Sequence, residues 1–115
     1  MEGIEFRSDE DRRALLDGPS GARVLGIVSG VFHTIVKTKE AGYVAVNHVC
    51  PHLGKISFSG PRGRSDGSTI SCGGHKWVWS LETGEGSDHH GAPVTADRQL
   101  AIRKVYERDG SFFII

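Results

Sequence analysis

Two short segments that each carry one cysteine and one histidine constrain this chain more than any other feature of its sequence. The first, arm 1, reads Cys50-Pro51-His52-Leu53-Gly54, and the second, arm 2, reads Cys72-Gly73-Gly74-His75-Lys76-Trp77. Thiolates suit iron–sulfur clusters and zinc, imidazole suits both metals, and glycines let the backbone pass close to a bound group. The two arms therefore predict one shared metal centre. Its candidate ligands are Cys50, His52, Cys72 and His75.

The presence of one cysteine and one histidine in each arm helps to distinguish an iron–sulfur cluster from a zinc site. A Cys₂His₂ zinc finger groups cysteine with cysteine and histidine with histidine. Here each arm holds one of each, and no helix is predicted in the stretch from Leu53 to Ser71 that separates the arms. An iron–sulfur cluster is therefore favoured, and zinc stays open as the alternative.

Length and charge exclude several classes of protein. A chain of 115 residues predicts a single domain over 1–115. Lys plus Arg equals Asp plus Glu at 14 each, so the composition offers neither a nucleic-acid footprint nor a polybasic membrane anchor. No apolar run approaches the ~18 residues of a membrane-spanning helix. Residues 1–5 lack the basic and apolar regions of a signal peptide, which predicts a cytoplasmic location and reduced cysteines.

Turn and strand signals dominate the rest of the chain. One short helix is predicted over 8–17, where Ser8 caps the start and Gly18-Pro19 ends it. The predicted turns are Ser29-Gly30, Glu40-Ala41-Gly42, 82–85 and Asp109-Gly110. The predicted loop covers 59–68, and 86–97 is predicted to be irregular. The predicted strands cover 24–28, 31–38, 43–49, 69–71, 77–81, 99–108 and 111–115.

The chain resembles the small Rieske-type ferredoxins, the electron-transfer components of bacterial multicomponent ring-hydroxylating oxygenases. In Rieske [2Fe–2S] centres two His replace two Cys on one of the two irons. The likeness covers most of the chain: two hairpins, arm 1, a Gly/Pro loop, arm 2 with its aromatic run, and a final hairpin. It implies an all-β antiparallel sandwich or barrel with two cluster-binding loops at one tip. It also implies one [2Fe–2S] cluster per chain, with Cys50, His52, Cys72 and His75 as ligands.

The resemblance implies a soluble one-electron carrier that is not itself an enzyme. Its partners are then a ferredoxin reductase and a terminal oxygenase, which dock transiently at the cluster tip. The chain has no Gly-rich dinucleotide fingerprint of its own. Two alternatives remain: a subunit similar to the small subunit of nitrite reductases, many of which lack the ligands, and a zinc-stabilised interaction domain.

Some positions depart from the respiratory Rieske proteins. Lys55 and Gly74 stand where those proteins carry an extra disulfide, and Trp77 and Trp79 bring no hydroxyl to the region after arm 2. Fewer hydrogen bonds to sulfur predict a potential in the lower part of the ~−150 to +300 mV Rieske range. Lys76 is either a solvated surface residue or a contact for an acidic partner.

The remaining candidates have ordinary interpretations. His33 and His48 are predicted to be surface or hydrogen-bonded residues. Asp88-His89-His90 is a candidate second metal patch, but a solvated loop is favoured. Aromatic residues are predicted to form the core or shield the cluster, namely Phe58, Trp77, Trp79, Phe112 and Phe113.

Overall fold

The described residues form an antiparallel β structure with one α-helix. A computed structural model describes residues 2–40, 42–51, 58, 63–72 and 77–115. In chain order the described elements are β1 (Glu2–Gly3), β2 (Glu5–Phe6), α1 (Asp9–Asp17), β3 (Arg23–Val28), β4 (Val31–Lys37), β5 (Tyr43–Asn47), β6 (Arg64–Ser65), β7 (Thr69–Ser71), β8 (Val78–Ser80), β9 (Gly86–Ser87), a 3₁₀ turn (Ala96–Arg98), β10 (Ile102–Arg108) and β11 (Ser111–Ile114). The predicted fold class, an antiparallel β-sandwich or barrel with one N-terminal helix, is confirmed.

The larger sheet nearly closes into a barrel. Its order among the described strands is β1-β11-β10-β5-β4-β3-β2, so the first six residues supply both of its edges. Glu2 pairs with Ile114, while Glu5 pairs with Ile27. Between them, the Ile4 N–H donates to the Phe112 carbonyl at 2.9 Å. The short strands β1 and β2 were not predicted, because two residues are too few to show an alternating pattern.

Helix α1 begins and ends as predicted. The Ser8 hydroxyl accepts a hydrogen bond from the Asp11 N–H at 3.2 Å, which satisfies one of the free amides of the first turn. Leu15 is fully buried in the barrel core. The Lys37 ammonium donates to the carbonyls of Leu16 and Gly18 at 2.8 and 2.9 Å, so the end of the helix is fixed to the last residue of β4.

Two of the predicted hairpin turns have the backbone twist that tight hairpins require. Ser29 and Gly30 have φ of 48° and 82°, and Asp109 and Gly110 have φ of 54° and 83°. Positive φ at both central residues belongs to a type I′ turn, whose twist matches that of the flanking strands. Ala41, within the predicted turn at 40–42, lies outside the described residues.

A smaller sheet, of order β6-β7-β8-β9, packs against the outside of the barrel. Strands β4 and β5 are shared by two cores because successive side chains point to opposite faces of a strand. On β4, Ile35 enters the barrel core, whereas its neighbour Val36 enters the core under the smaller sheet. The second core contains Val36, Val46, Cys50, Phe58, Ile70, Cys72, Trp79, Leu81 and Leu100.

Two segments that were predicted to be irregular contain short strands, so these two predictions are wrong in part. Residues 64–65 were predicted to be loop, but they form β6 and pair with Ser71 and Ile70. The Asp66 carboxylate accepts from the N–H groups of Ser68 and Thr69 at 2.8 Å each, which folds the chain back over a tight turn. This turn brings residues 64–65 within pairing distance of β7.

The segment over 86–97 is also more regular than predicted. It contains β9, which extends the smaller sheet, and the start of the 3₁₀ turn. Strand β10 begins at Ile102 rather than at residue 99, because the Leu100 N–H donates to the Gly84 carbonyl at 2.8 Å, outside the ladder. No helix in the described part of the chain is both long and apolar enough to cross a membrane.

Thr34 provides a test of the core. Its side chain is fully buried and, within the described residues, its hydroxyl has no hydrogen-bond partner. A buried hydroxyl without a partner costs free energy, so Thr34→Val should raise the free energy of unfolding by about 1 kcal/mol, as measured by urea denaturation.

Thr38→Val is the matched control, because the Thr38 hydroxyl accepts from the Gly42 N–H at 3.2 Å. Loss of this hydrogen bond should lower the free energy of unfolding by about 1 kcal/mol. Equal destabilisation by the two substitutions would show that Thr34 is satisfied in solution.

Candidate metal centre

Both cysteines lie at the ends of strands and in one core. Cys50 comes three residues after β5, and Cys72 directly follows β7. Their exposed fractions are 1% and 0%, and neither cysteine is in a disulfide. Although they are far apart in sequence, they belong to the same buried cluster. The fold therefore places in one buried cluster the two thiols that the sequence predicts to be metal ligands.

Each arm is closed at its base by main-chain hydrogen bonds. For arm 1, the Phe58 N–H donates to the His48 carbonyl at 3.1 Å, so a residue before the arm is bonded to a residue after it. For arm 2, Ser71 pairs with Val78 across the β7–β8 hairpin. Each cysteine is thus held near a point where the backbone is fixed by the sheets.

Aromatic side chains join the two bases. Phe58, four residues after arm 1, contacts Trp79 of β8 edge to face, with ring centroids 5.7 Å apart. Both side chains are fully buried. The Trp79 indole N–H donates to the Arg98 carbonyl at 2.9 Å. The ring centroid of the half-buried Trp77 lies 6.1 Å from that of Trp79. The predicted core role is confirmed for Phe58, Trp79 and Phe112, whereas Trp77 and Phe113 are only partly buried.

The chain after arm 1 is anchored by two arginines that the sequence did not single out. Arg23 of β3 donates through Nη2 to the Gly63 carbonyl, and Arg64 donates to the same oxygen at 2.9 Å. Burial lowers the pKa of Arg23, and the nearby positive charge of Arg64 lowers it further. Gly63 packs closely on the backbone of Phe58, where an added Cβ would overlap the carbonyl oxygen.

The predicted imidazole ligands, His52 and His75, lie outside the described residues. The same applies to Gly54 and to residues 73–74, which were expected to approach the cluster, and to Lys55 and Lys76. The described part of the site is therefore its base: the two thiols, the strands that precede them and the aromatic residues of the same buried cluster.

His33 lies in β4 and His48 directly follows β5, and both were predicted to be surface or hydrogen-bonded residues; among the described residues this does not hold for the ring Nδ1 of His48. The ring Nδ1 of His33 is 3.1 Å from the Val31 carbonyl. The His48 ring contacts Phe32 edge to face at 5.5 Å, and its buried Nδ1 has no hydrogen-bond partner among the described residues. His48 precedes Cys50 by two positions in the sequence. It lies outside both arms, so it was not predicted to be part of the site.

Asp88-His89-His90 forms an exposed loop. The Asp88 carboxylate accepts from the N–H groups of His90 and Ala92 at 2.8 and 3.0 Å. The first of these bonds is the main cause of the lowered pKa of Asp88. Within the described ranges no group of three or more His, Cys, Asp or Glu side chains is placed to hold a metal ion. These observations support the solvated loop over a second metal patch.

Comparison with protein families decides the kind of centre. The family model described as the Rieske [2Fe-2S] domain matches residues 14–103. The chain belongs to the Rieske [2Fe–2S] family. No curated protein and no solved structure matches the chain. The family assignment and the [2Fe–2S] cofactor predicted from the two arms are thereby confirmed, and a Rieske domain indicates an iron–sulfur electron-transfer role.

The described residues fit a Rieske cluster. Such a cluster needs two thiolates, which must be reduced and must converge. Cys50 and Cys72 fit these conditions, since neither is in a disulfide and both belong to one buried cluster. Their surroundings are aromatic and aliphatic, so a bound cluster would be shielded from water on its protein side.

Gly63 tests whether the base of arm 1 is as tightly packed as the geometry indicates. Gly63→Ala places a methyl group against the Phe58 carbonyl, so the free energy of unfolding should fall by about 1–3 kcal/mol. Because Phe58 closes arm 1, the purified variant should also retain less iron and labile sulfide, measured colorimetrically.

Gly3→Ala is the control, since an added Cβ at Gly3 meets no atom within 4 Å. It should match the parent protein in stability and in iron content. Full stability and full iron content in Gly63→Ala would contradict the packing described for this loop.

Proposed function

We propose that Cys50, His52, Cys72 and His75 hold the [2Fe–2S] cluster, and that the protein is a cytoplasmic one-electron carrier. In this proposal it passes electrons from a ferredoxin reductase to the terminal oxygenase of a ring-hydroxylating system. The cluster, when bound, accepts and donates a single electron. The convergence of Cys50 and Cys72 in one core is the observation that carries the proposal.

The spacing of the arms supports the two imidazole ligands. His52 is two positions after Cys50, and His75 is three positions after Cys72. In each arm a histidine is therefore tied by a few bonds to a thiol whose position is fixed by a strand end. A mixed arm can give its cysteine to one iron and its histidine to the other, which is the ligand distribution of Rieske centres.

Two motifs that the sequence lacks support the role of an electron carrier. These 115 residues contain no Gly-rich dinucleotide fingerprint, which fits a role in which a reductase supplies the electrons. Lys55 and Gly74, in place of the disulfide-forming cysteines of respiratory Rieske proteins, support the ferredoxin type. A carrier must also leave its partner, which fits a small docking surface rather than a permanent interface.

The ligand set can be tested by electron paramagnetic resonance on the dithionite-reduced protein, purified without air. The parent should give a rhombic signal with an average g value below that of all-cysteine [2Fe–2S] clusters, because histidine ligates one iron. Cys50→Ser, Cys72→Ser, His52→Ala and His75→Ala should each lose this signal and most of the labile sulfide.

His33→Asn is the control, because His33 lies on β4 and its ring contacts the Val31 carbonyl. Its signal should equal that of the parent. If a histidine variant of either arm kept the parent signal, that residue would be removed from the ligand set. Bound zinc without labile sulfide in the parent would overturn the cluster assignment altogether.

The carrier role can be tested by reconstitution. A purified NADH-dependent flavoprotein reductase and a ring-hydroxylating terminal oxygenase are mixed with and without this protein, and hydroxylated product is measured. The protein should accelerate product formation, because each partner lacks a direct route to the other. The cluster-free Cys72→Ser variant should give the rate of the mixture without carrier. No acceleration by the cluster-loaded parent with any reductase–oxygenase pair would refute this role.

A further inference from the structure

His48 has a buried ring nitrogen to which the proposed function gives no role. Its Nδ1 is shielded from solvent and has no hydrogen-bond partner among the described residues. Most buried polar atoms of side chains do have a partner, because a buried nitrogen that stays unpaired destabilises the protein. The nitrogen therefore indicates an acceptor that the described residues do not supply.

The main chain of His48 belongs to the base of arm 1. His48 directly follows β5 and precedes Cys50 by two positions. Its carbonyl accepts a hydrogen bond from the Phe58 N–H at 3.1 Å, so its backbone is fixed where the arm begins. The imidazole is therefore attached to an anchored part of the chain, a few bonds from a candidate ligand of the cluster.

The strand register places the imidazole on the face of the sheet that bears the thiols. Asn47 pairs with His33 at the end of the β4–β5 ladder, and one further step sets His48 opposite Phe32. The two rings do contact each other, with centroids 5.5 Å apart. Val46, two residues before His48, shares its face of the strand and belongs to the buried cluster that contains both cysteines.

Packing against Phe32 restricts how the imidazole can turn. The two rings lie edge to face at an interplanar angle of 69°, an arrangement that aromatic pairs prefer. Phe32 thus occupies one side of the ring, while the Nδ1 atom is shielded from water. An N–H at this position is directed into the protein rather than toward solvent, as is expected of a donor with one specific acceptor.

A [2Fe–2S] cluster would bring acceptors of the kind that this nitrogen lacks. Hydrogen bonds to the sulfur atoms of such a cluster help to set its reduction potential. A hydrogen bond is stronger when its acceptor is negatively charged. Because reduction adds one negative charge to the cluster, an N–H donor stabilises the reduced form more than the oxidised form and raises the potential.

We propose that the Nδ1–H of His48 donates a hydrogen bond to a sulfur atom of the centre beside Cys50 and so raises its reduction potential. The inference rests on the proposed ligation of the cluster by Cys50, and it is independent of the identity of the redox partners. A neutral imidazole carries one N–H donor, so this role requires no change of protonation. His48 is then a residue of the centre that lies outside both arms.

The hydrogen bond can be tested by voltammetry on the cluster-loaded protein. His48→Phe keeps a ring against Phe32 but removes the donor, so the equilibrium constant for reduction should fall about tenfold, which is about 59 mV for one electron. His48→Asn should keep the parent potential, because the amide nitrogen of Asn is as many bonds from Cα as Nδ1 is. His48→Gln places its amide nitrogen one bond further out, as Nε2 is, and should behave like His48→Phe.

Thr34→Val is the matched control, because it removes the other buried polar atom that has no partner among the described residues. Thr34 lies on the neighbouring strand and pairs with Val46, on the same face as His48. Its substitution should leave the potential unchanged. An equal fall in Thr34→Val would assign the effect to the polarity of this face and overturn the proposal. A parent-like potential in His48→Phe, or equal potentials in His48→Asn and His48→Phe, would also overturn it.

Paramagnetic resonance on the same samples separates this inference from the proposed ligand set. A parent with the rhombic signal and an unshifted potential in His48→Phe would contradict only the hydrogen bond, whereas a parent without the signal would contradict both. If His48→Phe does not retain iron and labile sulfide, the amide variants decide. Retention by His48→Asn with the parent potential supports the donor, and loss of the cluster from His48→Asn contradicts it.

Discussion

The contact between Phe58 and Trp79 joins the two halves of the metal centre. Phe58 closes arm 1 through its hydrogen bond to His48, and Trp79 belongs to the hairpin that holds arm 2. Their edge-to-face packing, with both rings buried, therefore fixes the base of one arm against the base of the other. Burial of such rings contributes several kcal/mol, on the order of what a Phe→Ala substitution costs in a core. Two loops that are remote in sequence can then present their thiols to one cluster.

Strands β4 and β5 contribute side chains to two cores, and this allows the barrel and the smaller sheet to hold one cysteine each. One face of these strands lines the barrel, through Ile35 and Ala45, and the other face supports the smaller sheet, through Val36 and Val46. Both faces must therefore be apolar, as in strands that are buried on both sides. The barrel is stabilised by its own core, so it can hold β5, and with it Cys50, while the smaller sheet holds Cys72.

Local chemistry made part of this structure predictable. The Ser8 cap and the Asp109-Gly110 turn depend on neighbouring residues only, and both were read from the sequence. Pairing between distant short segments was not predictable from the sequence. An example is β1, which is only two residues long and pairs with β11, at the other end of the sequence. In the metal centre, ligand type and spacing identified the family, but no spacing rule shows that Arg23 contacts the Gly63 carbonyl. That contact depends on how the barrel and the smaller sheet pack.

Closure of the barrel by residues 2–6 has a consequence for synthesis of the protein. Their pairing partners include residues 112–114, so the larger sheet cannot be completed until the end of this segment has left the ribosome. Until then the edge of β5 that pairs with β10 is incomplete, and the Ile4 N–H lacks its partner, the Phe112 carbonyl. Contacts of such high sequence separation form slowly, and exposed strand edges favour aggregation. The nascent chain therefore passes through a stage in which a chaperone that shields β edges would increase the yield of native protein.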